Sequence, residues 1–99
     1  MRFHINRDKL ISNLRDLLRR CGYFGIEDKR SGRLSYVRRL SKIQHYPRFH
    51  LYIEEQSDRL IFNLHLDQKQ VSYQGQKAHS GDYDEPAVQA EAARIQSLI

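Results

Sequence analysis

This chain has little that is built for cross-linking, membrane insertion or holding a cofactor in a ready-made loop. With one cysteine, Cys21, there can be no internal disulfide, and its place on the apolar side of a predicted helix marks it as a small core residue rather than a nucleophile. No run approaches the roughly 18 apolar residues that a membrane-spanning helix needs, and residues 1–6 lack the apolar stretch of a signal peptide. The expected location is therefore the cytoplasm. A nucleophile elbow, a phosphate-cradling glycine loop and a paired-cysteine motif are all missing, as are internal repeats and low-complexity tracts. Function has to be sought in side chains that only the fold brings together.

The 99 residues suit one domain, spanning 1–99, with a single core. Hydrophobic residues make up 39% and charged residues 29%, as in a small domain with a thin core and much surface. The net charge of +5 is unevenly divided: residues 1–50 carry 13 Lys and Arg against 4 Asp and Glu, whereas residues 51–99 carry 4 against 8. Such a polarity suits contact with a polyanion or with the acidic part of a second copy.

Asn6 reads as an N-cap, and Leu10, Ile11, Leu14, Leu17, Leu18 and Cys21 recur at the spacing of an amphipathic helix that Gly22 ends. Whether residues 1–5 add an edge strand stays open. Residues 23–27 and 33–41 read as strands joined by a turn at 28–32. Beyond Pro47, Phe49, Leu51 and Ile53 alternate with polar residues, and so do Leu60, Phe62, Leu64 and Leu66. If the two apolar sets share a face, facing residues must sum to an odd number, and 113 is the expected register, with a loop at 55–58, His50 opposite Asn63 and Arg48 opposite His65. The phase of the 33–41 strand is left open. Acidic Asp84 and Glu85 with Pro86 open a last helix, whose inward stripe is Val88, Ala92, Ile95 and Ile99. The expected fold is α+β: helix, four-stranded antiparallel meander, helix, with both helices on one sheet face and the long 68–85 connection over the other.

Two constellations stand out. The sheet face away from the leucines gathers His50, Asn63, His65 and Asp67, and the long connection could add Tyr73, His79, Tyr83 and Asp84. Imidazole and carboxylate suit a divalent metal, with His65, Asp67, His79 and Asp84 as the candidate ligands, although the spacing matches no fixed metal motif. The same groups could instead hydrogen-bond to one another, or act in metal-free acid–base chemistry. The second constellation is basic: Arg15, Arg19, Arg20, Lys29, Arg30, Arg33, Arg38 and Arg39, with Tyr23, Phe24, Tyr36 and Tyr46 nearby, supplies the cations and rings that RNA or DNA binding requires.

The strings Tyr46-Pro47-Arg48-Phe49-His50-Leu51-Tyr52, Phe62-Asn63-Leu64-His65-Leu66-Asp67-Gln68-Lys69 and Ala78-His79-Ser80-Gly81-Asp82-Tyr83-Asp84 resemble a family of short, uncharacterised bacterial proteins, over roughly residues 20–96. That resemblance implies a bacterial cytoplasmic origin and supplies no mechanism. In element order alone the chain is also similar to small messenger-RNA-cleaving toxins and to double-stranded-RNA-binding domains. It lacks the toxins' hairpin histidine near residues 31–35, and it opens its last helix with acid where the RNA-binding domains have lysine. The expectation is a binding module rather than an enzyme, contacting nucleic acid through its basic N-terminal half. The alternatives are a metal-binding or metal-dependent hydrolytic site, or a homodimer.

Overall fold

The computed structural model describes residues 1–10, 12–68 and 86–99. Strand β1 (Arg2–Asn6) and a short 3-10 turn (Arg7–Lys9) lead to helix α1 (Leu14–Arg20), followed by strands β2 (Phe24–Glu27), β3 (Leu34–Arg39), β4 (Arg48–Glu55) and β5 (Arg59–Asp67) and helix α2 (Pro86–Ser97). The five strands form one antiparallel sheet in the order β1-β5-β4-β3-β2. The α+β class therefore holds, but the helix-first, four-stranded order does not. Residues 2–6 form a fifth strand that pairs Phe3 with Phe62 and Ile5 with Leu60, because a strand there covers apolar side chains that β5 would otherwise leave at an edge.

Helix α1 begins later than the apolar spacing implied. Asn13, rather than Asn6, is the N-cap, and its side-chain oxygen accepts the Asp16 amide at 2.9 Å. Leu10 precedes the helix yet still packs on the core, so the three-and-four spacing arises from two separate elements. The C-terminus is as expected: Gly22, at φ +93°, follows the C-cap residue Cys21 and takes the left-handed conformation that favours glycine.

The β4–β5 pairing keeps the expected parity and shifts by two residues. Facing residues sum to 115, so His50 faces His65, Tyr52 faces Asn63 and Arg48 faces Asp67. The Gln56 amide donates to the Arg59 carbonyl at 2.9 Å, leaving only Ser57 and Asp58 to turn the chain instead of the expected four-residue loop.

The even-numbered side of β5 (Leu60, Phe62, Leu64 and Leu66) forms one cluster with Phe49, Leu51 and Tyr36, with Leu18 and Cys21 at the end of α1, and with Val88, Ala92 and Ile95 of α2. Amid this apolar layer lies a buried carboxylate, Glu91, which accepts the Tyr23 hydroxyl at 2.7 Å and the Arg94 guanidinium at 2.8 and 2.9 Å, with Arg38 at 3.4 Å. Burial, and then the bond to Glu91, push the Tyr23 hydroxyl far up from its ordinary pKa. No helix among the described residues is long and apolar enough to cross a membrane.

Candidate functional site

Alternation sends every second residue of the central strands away from the helices. Since Tyr36 pairs with Leu51 on the helix side, Ser35 and Val37 of β3 project to the opposite face, together with His50 and Tyr52 of β4 and Asn63, His65 and Asp67 of β5. Residues on neighbouring strands two positions out of register are still within reach of one another when a side chain is long. The imidazole of His50 uses both of its diagonals: Nε2 lies 2.8 Å from Ser35 Oγ on one side, and Nδ1 lies 2.8 Å from Asp67 Oδ2 on the other.

Asp67 is the hub. Its Oδ1 accepts from His65 Nε2 at 2.9 Å, and its Oδ2 accepts from His50 and from Arg48 Nε, the latter at 3.3 Å. Burial by itself would raise the Asp67 carboxyl, but the hydrogen bonds and charge of His50 and His65 outweigh it and hold the group well below the usual carboxylate range. An ionised carboxylate only accepts, so His50 Nδ1 must carry a proton towards it. In the neutral ring Nε2 then holds a lone pair, and the Ser35 hydroxyl is the donor of the remaining bond. The polarity Ser35 to His50 to Asp67 follows from this chemistry.

Aromatic contacts fix the ring planes. Tyr52 stacks on His50 with centroids 4.5 Å apart and lies 5.7 Å from His65, while the Arg33 guanidinium covers its outer side at 4.7 Å. Ser35 is 4% exposed and His50 7%, yet both line a cleft of about 230 Å³ that Tyr52, Arg33 and Arg48 also border. The Arg48 guanidinium stands 4.5 Å over the Tyr46 ring.

Of the expected polar cluster, His50, His65 and Asp67 converge, and Asn63 lies on the same face opposite Tyr52. Tyr73, His79, Tyr83 and Asp84 lie outside the described residues, so the expected metal set is represented here by His65 and Asp67, joined by His50. Ser35 was missed. In sequence its strand shows no alternation, because Ser35, Tyr36 and Val37 are all buried and β3 is covered on both faces.

The basic set is spread over several surfaces. Arg38 turns to the helix side and meets Glu91, and Arg20 donates to Ser12 Oγ at 3.2 Å. Arg33 and Arg39 lie over the Tyr52 and Phe24 rings, and Lys29 and Arg30 occupy the β2–β3 turn. Arg15 and Arg19, one helical turn apart, border a separate cleft of about 370 Å³ with Tyr23, Phe24 and Tyr36. No family model matches the chain, and neither the curated proteins nor the solved structures give a match.

Proposed function

We propose that the protein is a small hydrolase acting on ester substrates, with Ser35 as nucleophile, His50 as general base and Asp67 as the group that orients the imidazole. The observation that carries this reading is the unbroken chain of two 2.8 Å hydrogen bonds that opens on a cleft. Nucleophile, base and orienting acid in this relation recur on unrelated folds, and the relation is recognised by geometry and role, not by sequence position. Ser35 Oγ attacks the ester carbonyl and its proton passes to His50 Nε2. Collapse of the tetrahedral intermediate expels the alcohol, which takes up that proton and leaves an acyl group on Ser35. Water, deprotonated by the same nitrogen, then releases the acid. Arg33 and Arg48 border the cleft and are the groups there that could face the oxygen that becomes negative, with Glu27 and Asp28 on the same lining.

The test is covalent. A fluorophosphonate probe should add once, at Ser35, as read by peptide mass. Ser35→Ala should lose the adduct while keeping its circular dichroism, and His50→Ala should label at least about a hundredfold more slowly, the usual scale of general-base assistance. An adduct absent from Ser35, or a rate unchanged in His50→Ala, refutes the reading.

A second reading, single-stranded nucleic-acid binding, is favoured by the cleft that joins Arg15 and Arg19 to Phe24 and Tyr36. Fluorescence anisotropy with RNA and DNA oligonucleotides over a salt series checks it, and association at micromolar protein that weakens with salt and with Arg15→Ala is expected.

A further inference from the structure

We propose that the same sheet face also holds a divalent transition-metal site, formed by His50 Nδ1, His65 Nε2 and the Asp67 carboxylate, and that an ion of the zinc class bound there switches the serine off. One ligand atom from each of the three residues lies within 4.8 Å of the others, and His50 Nδ1 and His65 Nε2 stand 2.8 and 2.9 Å from the two Asp67 oxygens. Two imidazole nitrogens and a carboxylate oxygen are a donor set that zinc, cobalt and nickel favour, and three protein ligands leave a coordination position open. The rings are already positioned by the Tyr52 stack, and Arg48 steadies the carboxylate from the side.

Metal occupancy and the serine relay exclude each other because both need the same nitrogen. In the metal-free protein His50 Nδ1 carries the proton that it donates to Asp67. A ligand nitrogen must present its lone pair, so binding moves the His50 ring proton from Nδ1 to Nε2 and the His65 ring proton from Nε2 to Nδ1, and any second proton on either ring is released to solvent. The 2.8 Å contact between His50 Nε2 and Ser35 Oγ can persist with its direction reversed: the ring now donates and the hydroxyl accepts. Ser35 thereby becomes the outer partner that orients a metal-bound imidazole and has no base to take its proton. The switching half of this proposal rests on the hydrolase reading; the binding half stands on the ligand geometry alone.

The experiment uses the full untagged chain, with zinc chloride as probe and magnesium chloride as control. Equilibrium dialysis should give one zinc per chain and a raised Tm, with no Tm change for magnesium. Both zinc effects should survive in Ser35→Ala and disappear in His65→Ala. Zinc at ten times its Kd should slow fluorophosphonate labelling of Ser35 about tenfold by mass action, EDTA should restore the rate, and in His65→Ala the rate should no longer respond to zinc. Absence of stoichiometric zinc, or zinc binding unchanged in His65→Ala, overturns the site. Zinc bound at the site without slowing the labelling overturns the switch. If the metal-free protein never labels, the hydrolase reading fails and the switch with it, while the dialysis result still decides the metal site.

Discussion

His50 Nδ1 and Asp67 Oδ2 stand 2.8 Å apart across a diagonal of the β4–β5 pair, and Asp67 holds a second imidazole, His65, through its other oxygen. This places acid sensitivity in one carboxylate. The folded-state pKa of Asp67 lies below the value of about 3.9 expected in the unfolded chain. Its contribution to stability is therefore complete above that unfolded value and is lost as pH falls from about 4 towards the folded pKa. Urea unfolding of the native protein should show a decline over this window that Asp67→Asn lacks. At neutral pH the substitution should cost about 1–3 kcal/mol, because one amide oxygen cannot satisfy the donors that two carboxylate oxygens serve.

Glu91 predicts a larger structural effect on the other side of the sheet. Glu91→Ala leaves the buried Tyr23 hydroxyl without its acceptor and deprives Arg94 and Arg38 of their counter-charge. Both arginines are about a third exposed and can recover hydration, so we expect a loss of about 2–3 kcal/mol, below that of a fully enclosed pair. Thermal unfolding checks this, and Tyr23→Phe in the same background should add much less than its effect in the native protein.

Phe62 has no exposed surface and packs against Phe3 with ring centroids 5.2 Å apart. Phe62→Ala should lower the unfolding free energy by roughly 3–5 kcal/mol. Its side chain faces the helices, away from Ser35, so the folded fraction should still label at the native rate. Loss of labelling in molecules that remain folded would show that the two faces are not independent.

Parity was readable from the sequence and register was not. Alternation in β4 and β5 requires facing residues to sum to an odd number, and sums of 113 and 115 satisfy it equally. The segment from Gln56 to Arg59 contains no glycine, asparagine or proline to mark how tight the turn is. The two-residue difference is nevertheless what creates the site, because it brings His50 opposite His65 and within reach of Asp67, where the expected register set His50 against Asn63. Ser35 was hidden for a different reason: a strand buried on both faces carries no period from which its phase can be read. Asn6 and Asn13 are both acceptable caps, and only the pairing of β1 with β5 decides between them. Helix α2, by contrast, announced itself through Pro86 at its first position and the stripe of Val88, Ala92 and Ile95, although it ends at Ser97 and the expected fourth member, Ile99, packs on the core from beyond its end.

Cys21 is 1% exposed, and burial pushes its thiol pKa up. As the chain's single sulfhydryl, it is shielded from alkylating reagents while the helices stay seated on the sheet. Maleimide or iodoacetamide uptake therefore counts opening events instead of sampling the surface, giving this protein a built-in clock for its own unfolding.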